Sequence, residues 1–372
     1  MNPPLGILGT GSYLPDTRVD VRRAARELPE RDRDRLLALG YTGVCAEPDL
    51  YPGDMGLIAA RRALADAGLA ARDVRTLVFA SIHRHGHRRM WSPASWLQER
   101  LGCVNALPFN VQQGCNSQLL MLDVLRAGAA AGEAVLVVAA DRFSDSAFDR
   151  FAGDYGIAYG DGAAAAVLAP AAGRGWRMLG TRTVSDPWLE GLHRDERPSA
   201  ETPGGLTAEH DMRGAKRSFL TRHGKEVLAE RTRAAVAEIR DALLTGADGL
   251  PGGGGLPASG DGLRAVVYPN LGLPLLEGSY FPELPGGADR SLWDFGRTVG
   301  HLGGADQIAG LDTWTRTRDP LPGDRVLLIG AGAGFTWTGM LLEREPGPGP
   351  EPAPESAPEP APRTTTPQRT PR

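Results

Sequence analysis

The chain alternates short apolar segments with longer helical ones, and this alternation narrows the folds open to it. Four apolar runs are typical of buried strands: Leu77–Ser81, Val135–Ala140, Ala265–Tyr268 and Val326–Ile329. Three longer stretches have helical spacing: 53–68, 116–131 and 222–244. Strands that alternate with helices form a largely parallel sheet, so the sequence predicts an α/β fold.

Cys115 lies where a strand turns into a helix. Apolar residues alternate as in a strand from Leu107 to Val111, and they recur at helical spacing from Leu119 onward. Unpaired amides and the positive end of the helix dipole favour the thiolate over the thiol at such a junction. Cys115 is therefore a candidate nucleophile, although a small core cysteine would fit the same local pattern.

Size and charge exclude several classes of protein. The 372 residues are enough for two core-bearing units, and a net charge of -4 gives no support for nucleic-acid binding. The three cysteines form neither a disulfide framework nor a Cys-x-x-Cys metal pair. The N-terminus lacks a basic start, and no apolar run approaches the roughly 18 residues of a membrane span. We expect a soluble, cytoplasmic protein with no nucleic-acid or membrane partner.

Three stretches interrupt the pattern. Residues 345–372 are rich in proline with almost no core-forming residues, which predicts a disordered tail. Residues 194–210 and 246–262 are predicted to be long flexible loops. A glycine-rich run at Gly160 is echoed by another at Gly330, as if one strand–helix unit had been duplicated.

Several short motifs occur in a fixed order along the chain. They are Gly9-Thr-Gly-Ser-Tyr-Leu-Pro-Asp, Ser92-Pro-Ala-Ser-Trp-Leu-Gln, Gln113-Gly-Cys-Asn-Ser, Tyr159-Gly-Asp-Gly-Ala, Tyr268-Pro-Asn, Gly300-His-Leu-Gly-Gly-Ala-Asp and Gly330-Ala-Gly-Ala-Gly-Phe-Thr-Trp. In this set and order the chain resembles the thiolase-fold ketosynthases. It is most similar to the ketoacyl-acyl-carrier-protein synthase III (KAS III) branch, and within it to the KAS III-like acyltransferases of natural-product (polyketide) pathways.

The resemblance implies a fold and an assembly. It implies two duplicated βαβαβαββ halves with five-stranded sheets, stacked as a five-layer α-β-α-β-α core. The N-terminal half, 1–175, would carry the nucleophilic cysteine, and the C-terminal half, 176–344, would carry an asparagine and a histidine. It also implies a homodimer and a buried cysteine reached by a tunnel for phosphopantetheine, which would enter as the acyl thioester substrate. No bound cofactor or metal is expected.

The chain departs from the family pattern at two positions. Where the family has a histidine after the proline of the first late strand, this chain has Asn270. Where the family has an asparagine about thirty residues later, it has His301. In the ketosynthases this pair holds the malonyl thioester oxygen during decarboxylation, and a displacement of about 1 Å can cost on the order of a hundredfold in rate. The exchange argues against decarboxylative condensation.

Acyl transfer depends less on the exact placement of the side chains at positions 270 and 301. Cys115 would take an acyl group from an acyl carrier protein or CoA thioester, and His301 would deprotonate the acceptor, a carrier thiol, sugar hydroxyl or amine. Asn270 would position the base or the acyl carbonyl. We therefore predict an acyltransferase. The alternatives are a condensing enzyme of the KAS III type and a non-catalytic ketosynthase-like subunit.

Two further residues are candidates for supporting roles. Asp306 lies five residues after His301 and is a candidate to orient it, although an acid in the first turn of a helix already has a dipole explanation. Gly334 matches the family position whose backbone amide joins that of the nucleophile, here Cys115, in an oxyanion hole.

Two local patterns suggest other chemistry. The Gly330 run resembles a dinucleotide fingerprint, but too few ordered residues follow it for a βαβ unit. Alternate histidines at His83, His85 and His87 resemble a metal site without further ligands in view, and a polar loop is the preferred interpretation.

A basic cluster lies within an otherwise acidic chain. It consists of Arg213, Lys216, Arg217 and Arg222. An acyl carrier protein is acidic, so this cluster is a candidate docking surface for it. Solvated charge on a helix surface would explain the same residues.

Overall fold

The computed structural model describes residues 4–83, 90–144, 148–171, 173–194, 211–244 and 262–347. Eleven strands lie within these ranges: β1 Leu5–Tyr13, β2 Arg18–Asp20, β3 Gly43–Cys45, β4 Val74–Ala80, β5 Leu107–Val111, β6 Ala134–Asp141, β7 Gly162–Pro170, β8 Trp176–Ser185, β9 Leu263–Val267, β10 Arg325–Gly332 and β11 Thr336–Arg344.

The same ranges contain ten α-helices: α1 Val21–Ala25, α2 Glu30–Ala38, α3 Pro52–Ala67, α4 Pro93–Leu101, α5 Ser117–Ala130, α6 Met212–His223, α7 Val227–Leu244, α8 Leu273–Ser279, α9 Trp293–Val299 and α10 Asp306–Arg318. Short 3-10 helices occupy Ala71–Asp73, Pro187–Leu192, Phe281–Glu283 and Gly303–Ala305. Among the helices described, none is long and apolar enough to cross a membrane.

Nine strands form one mixed sheet in the order β5-β4-β6-β7-β1-β8-β11-β10-β9. Strands β1 and β8 lie side by side at the centre and are joined by two residue pairs, Gly6 with Arg177 and Ile7 with Trp176. The strands on one side of this junction are arranged as a mirror image of those on the other. On each side a parallel pair lies at the outside, and β7 or β11 lies antiparallel beside the central strand. The two glycine-rich runs lead into β7 and β11, so they occupy equivalent places. This arrangement confirms the predicted duplication within a thiolase-like α/β fold.

Helices cover the two halves of the sheet in layers. Both α5 and α10 contact strands of both halves and therefore lie between them, whereas α3 packs outside β1 and β7, and α7 outside β8 and β11. Helix α10 is buried on all sides from Asp306 to Asp312, which is why its sequence lacks a polar stripe. The inner layer thus places the N-termini of α5 and α10 inside the molecule.

The second half differs from the implied pattern of five strands. In the described part of the chain it contributes four strands, and Ser291 pairs with Val266 only as an isolated bridge. Strand β7 ends at Pro170 and β8 begins at Trp176. The division into halves at residue 175 stays a prediction.

Most of the predicted helices and strands are present with shifted ends, and one predicted helix was wrong. The stretch 222–244 is not one helix, because Gly224, with φ of +103°, separates α6 from α7. Of the predicted loops, 195–210 and 246–261 lie outside the described residues, as does the predicted tail from residue 348 onward.

Candidate active site

A tight turn presents Cys115 between β5 and α5. Gly114 has φ of +59°, and a Cβ placed on it would lie 2.6 Å from the backbone nitrogen of Ala333. Only glycine fits both the left-handed conformation and this close approach. The Ser117 hydroxyl completes the turn by donating to the Gly114 carbonyl at 2.7 Å and accepting from the Gln113 N–H at 2.9 Å. The thiol is therefore held just before the first turn of α5.

The fold brings His301 to the thiol from the other half of the chain. The His301 N–H donates to the Ala158 carbonyl at 2.9 Å, and its own carbonyl accepts from the Gly160 N–H at 2.9 Å. The imidazole is buried, and together with Cys115 it lines one cavity of about 360 Å³. Two residues 186 positions apart in sequence thus share one pocket.

Asp306 fixes the orientation of His301. One carboxylate oxygen, Oδ2, lies 2.5 Å from His301 Nδ1 and accepts from the Asn270 N–H at 2.8 Å. The other, Oδ1, accepts from the Leu302 N–H at 2.7 Å and from Asn270 Nδ2 at 3.0 Å. With Nδ1–H donated to the carboxylate, neutral His301 keeps its lone pair on Nε2. Asp306 thus makes the contact that an orienting residue requires, and its role in catalysis stays a prediction.

Electrostatics favour a charged His301. Burial lowers the pKa of His301, but the Asp306 carboxylate and the nearby Cys115 raise it further, so its pKa lies well above the ordinary value. Part of that rise comes from a side-chain hydrogen bond between His301 and Cys115, and because Asp306 occupies Nδ1, the thiol lies on the side of the buried Nε2. Cys115, His301 and Asp306 form a thiol–imidazole–carboxylate series.

Asn270 is not among the residues that line the cavity with Cys115, and the expectation that it positions the base or the acyl carbonyl stays a prediction. Its Nδ2 donates to the Gly300 carbonyl at 3.0 Å and to Asp306, while its carbonyl accepts from the Tyr41 hydroxyl at 2.5 Å. An amide nitrogen has two protons, and both are used here. Asn270 therefore contacts His301 only indirectly, through Asp306 and Gly300.

The turn between β10 and β11 supplies the backbone beside the nucleophile. A Cβ placed on Gly332 would lie 3.0 Å from Cys115 N and 2.5 Å from Asn116 N. Gly334 follows with φ of +145°, a conformation that favours glycine, and a cis peptide bond joins it to Phe335. Gly332 thus lies beside the backbone of Cys115, and the oxyanion hole formed by the Cys115 and Gly334 amides stays a prediction.

The predicted docking cluster is divided by the fold. Lys216 is buried and paired with Asp154 inside the cavity, and Arg213 binds Asp32 at 2.7 Å. The burial of Lys216 corrects that part of the prediction, because it cannot meet a carrier protein at the surface, while Arg213 is partly exposed and its docking role stays a prediction. Only Arg217 and Arg222 remain exposed, along a separate groove, and docking at these two stays a prediction.

The histidine pattern is only partly described. His85 and His87 lie outside the described residues, while His83 packs against Phe143 with ring centroids 5.5 Å apart. Among the residues that the structure places, no group of three or more His, Cys, Asp or Glu side chains could hold a metal ion.

Sequence reasoning missed two buried acids near the site. Asp141 ends β6 and accepts from the Ile82 and His83 N–H groups at 2.8 and 2.9 Å, and burial raises its pKa to about 7. An acid directly after the apolar run Val135–Ala140 was the available signal. Asp154 lines the cavity, and its sequence context carries no comparable signal.

Two segments of the chain match sequence models of known families. The sequence model described as 3-oxoacyl-[acyl-carrier-protein] synthase III matches residues 109–187, and the model of its C-terminal part matches residues 281–344. The β-ketoacyl-[acyl-carrier-protein] synthase III of Desulfotalea psychrophila is 26% identical over 350 residues, covering 90% of this chain and 98% of that protein.

Other relatives are more similar over shorter stretches. The synthase III of Geobacillus kaustophilus is 34% identical over 182 residues, which is 46% of this chain and 55% of that protein. That of Rhodospirillum rubrum is 33% identical over 203 residues, 51% of this chain and 59% of its own length. The chain thus spans little more than half of these two relatives.

Solved structures extend the likeness over nearly the whole chain. A protein named ChlB3 and described as an acyltransferase superposes with a TM-score of 0.79 at 29% identity, covering 92% of this chain and 98% of its own. The priming β-ketosynthase from the R1128 polyketide biosynthetic pathway gives a TM-score of 0.69 at 22% identity, covering 93% and 98%, which shows a shared fold.

Proposed function

Since the chain belongs to the KAS III-like proteins of the thiolase fold, we propose that it is an acyltransferase that uses a covalent acyl-Cys115 intermediate. The acyl group comes from an acyl carrier protein or CoA thioester and passes to a second acceptor, a carrier thiol, sugar hydroxyl or amine. The observation that carries the proposal is the contact of Asp306 with His301 beside Cys115, while the Asn270 amide is turned to Gly300 and Asp306.

The geometry supports a two-step transfer. First, the Cys115 thiolate attacks the thioester carbonyl, a new carbon–sulfur bond forms, and the pantetheine sulfur leaves with a proton from His301 Nε2. Second, the acceptor's proton passes to Nε2 as its oxygen, nitrogen or sulfur attacks the acyl carbonyl, and the Cys115 thiolate is released. Asp306 holds Nδ1 throughout, so the proton is exchanged at the nitrogen facing the reaction.

The same geometry argues against condensation. Loss of carbon dioxide from a malonyl thioester requires hydrogen-bond donors aimed at the enolate oxygen. Both amide protons of Asn270 are committed elsewhere, so the pair that would hold this oxygen is incomplete. The likeness to ChlB3, described as an acyltransferase, points the same way. A role in secondary-metabolite biosynthesis is part of the proposal.

A non-catalytic subunit is the remaining alternative. Such a protein needs neither a nucleophile nor a base, yet here Cys115 and His301 share one cavity and a buried carboxylate orients the base. Maintaining a buried charged group costs folding free energy unless it is used or compensated. The arrangement therefore favours an active enzyme.

An experiment on carbon dioxide separates transfer from condensation. The protein is incubated with malonyl and with acetyl carrier protein together, and released carbon dioxide is counted against acyl groups that leave Cys115. We expect acyl groups to move to an added acceptor with no carbon dioxide above the level of a Cys115→Ala control. Stoichiometric carbon dioxide and a 3-ketoacyl product would establish the condensing enzyme instead.

We propose that the protein is a homodimer joined through β5. This strand lies at the edge of the sheet, and in the part of the chain that is described β4 is its only strand partner. Leu107 and Phe109 point to the same side of β5 and are 61% and 43% exposed. An exposed apolar edge strand pairs readily with a second copy of itself about a two-fold axis.

Leu107→Glu is expected to convert the dimer to a monomer, because it places a charge in the apolar surface that the second copy would bury. Leu321→Glu is the matched control, since Leu321 is 65% exposed and lies in the turn before β10. Light scattering coupled to size exclusion measures the mass of each. A wild-type monomer, or equal masses for the two variants, would contradict assembly through β5.

A further inference from the structure

The cavity wall carries a buried ion pair that the proposed mechanism does not use. Lys216 Nζ in α6 lies 2.6 Å from Asp154 Oδ1, and their side chains are 9% and 1% exposed. Both line the cavity that holds Cys115 and His301. Burying two charges costs several kcal/mol per ion before their attraction is counted, so such a pair usually has a further role or extensive hydrogen bonding.

Asp154 has that hydrogen bonding. Its Oδ2 accepts from the Tyr159 hydroxyl at 2.8 Å, and its Oδ1 accepts from the Tyr155 N–H at 2.6 Å as well as from Lys216. Burial raises the pKa of Asp154, but Lys216 and Tyr159 lower it further, so the carboxylate is ionised. The ring of Tyr159 in turn lies 5.3 Å from that of His301. The anionic partner is thus fully satisfied and fixed next to the reaction centre.

The Lys216 ammonium group, by contrast, has N–H donors left without a hydrogen-bond acceptor among the described residues. An ammonium group has three N–H donors, and among the described residues Asp154 is its only hydrogen-bond acceptor. The side chain is more than nine-tenths buried and lies on the cavity wall. Bulk water therefore has little access to its remaining N–H groups. Unused donors on a buried cation are a binding site for an acceptor that enters the cavity.

Most other side chains on the wall of this cavity are apolar or aromatic, although a second lysine, Lys225, and a few other polar groups also line it. Tyr155, Tyr280 and Phe335 contribute rings, and Leu220, Leu228 and Leu275 contribute aliphatic side chains. A cavity of this composition favours a compact acyl group, and the few polar groups in it determine orientation and specificity.

We propose that the acyl group accepted by Cys115 carries an oxygen acceptor away from the thioester, and that Lys216, held by Asp154, binds this oxygen. The inference rests on the proposed function and specifies the substrate class of the same cavity. A hydroxyl group on a ring and a keto group on a chain both present the required acceptor. A site built to bond a substrate oxygen rejects the analogue that lacks it, because its own buried donors are then left unpaired.

The test compares matched pantetheine thioesters. Benzoyl is paired with 2-, 3- and 4-hydroxybenzoyl, and butyryl is paired with acetoacetyl. The two sets distinguish a hydroxyl group on a ring from a keto group on a chain. The rate of acyl-Cys115 formation is followed by intact-mass spectrometry. In the wild type at least one oxygenated group should react roughly tenfold or more faster than its parent, and Lys216→Met should bring that ratio close to one.

Two further variants guard against misleading results. Lys216→Met leaves Asp154 as an unpaired buried charge, so the double variant Lys216→Met with Asp154→Asn is measured alongside it, and thermal melting reports folding. Arg233→Met removes the same charge from α7, outside the cavity, and should keep the wild-type ratio.

The outcomes separate the two proposals. A wild type that takes oxygenated and parent groups equally, or a ratio that survives in both Lys216 variants, would overturn the inference and leave acyl transfer intact. Acylation of Cys115 by none of the thioesters would overturn the proposed function and the inference with it.

Discussion

Cys115→Ala is expected to eliminate the acyl-enzyme and to lower acyl transfer at least about 1,000-fold. Removing the nucleophile of a covalent mechanism typically costs three to six orders of magnitude, because the remaining groups act only through it. Intact-mass spectrometry after exposure to an acyl thioester, together with the steady-state transfer rate, measures both effects. A mass increase that persists in Cys115→Ala would show that another residue accepts the acyl group.

The other cysteines provide the control for this prediction. Burial raises the pKa of Cys45 to about 12 and that of Cys103 to about 11, so both remain thiols and neither lines the cavity. Cys103→Ala should therefore keep the adduct and the transfer rate of the wild type. Loss of labelling in this variant would contradict the assignment of Cys115.

Asp306→Asn is expected to lower the transfer rate by about 100- to 10,000-fold with little change in binding of the thioester. An amide in this position presents a donor or a weaker acceptor to His301 Nδ1, which disfavours the tautomer that has its lone pair on Nε2. The rates of acylation and of acyl release from Cys115, measured separately by rapid quench, report the loss.

The same variant should change the pH profile in a defined direction. Asp306 raises the pKa of His301, so removing its charge lowers that pKa. His301 must be unprotonated to take a proton from the acceptor. The rise of acyl release with pH should therefore move to lower pH in Asp306→Asn than in the wild type. A profile that does not move would place Asp306 outside the proton transfer.

Asn270→Ala distinguishes the two neighbours of His301. Because Asn270 reaches the base only through Asp306 and Gly300, its loss should cost less than that of Asp306, on the order of tenfold. A variant of Asn270 as damaging as Cys115→Ala, with Asp306→Asn nearly normal, would place the Asn270 amide at the reacting atoms.

The sequence predicted the helix and strand that hold Cys115 more reliably than the contacts around His301. Alternation over 107–111 followed by helical spacing fixed Cys115 at the start of α5, because periodicity is a local property. The helix break at Gly224 was missed, because an apolar pattern continues on both sides of it.

Contacts between distant segments could not be predicted from spacing. An acidic residue at the start of α10, such as Asp306, is already favoured by the helix dipole, so its sequence position does not point to His301. Only the fold shows that Asp306 contacts both His301 and Asn270. Lys216 belongs to a basic run that is typical of an exposed face. Its burial depends on Asp154, which lies 62 residues away. Charge pattern along the chain therefore predicted a docking surface where the structure has part of a cavity wall.

The most direct test of the account follows the acyl group on wild-type protein. Acyl carrier protein loaded with an acyl group is added, excess donor is removed, and a second carrier thiol or an amine acceptor is supplied while intact mass is recorded. We predict that Cys115 gains one acyl mass, that the acceptor returns the enzyme to its original mass, and that the acceptor gains the same acyl group. An enzyme that never gains the acyl mass, or whose adduct no acceptor removes, would contradict covalent acyl transfer through Cys115.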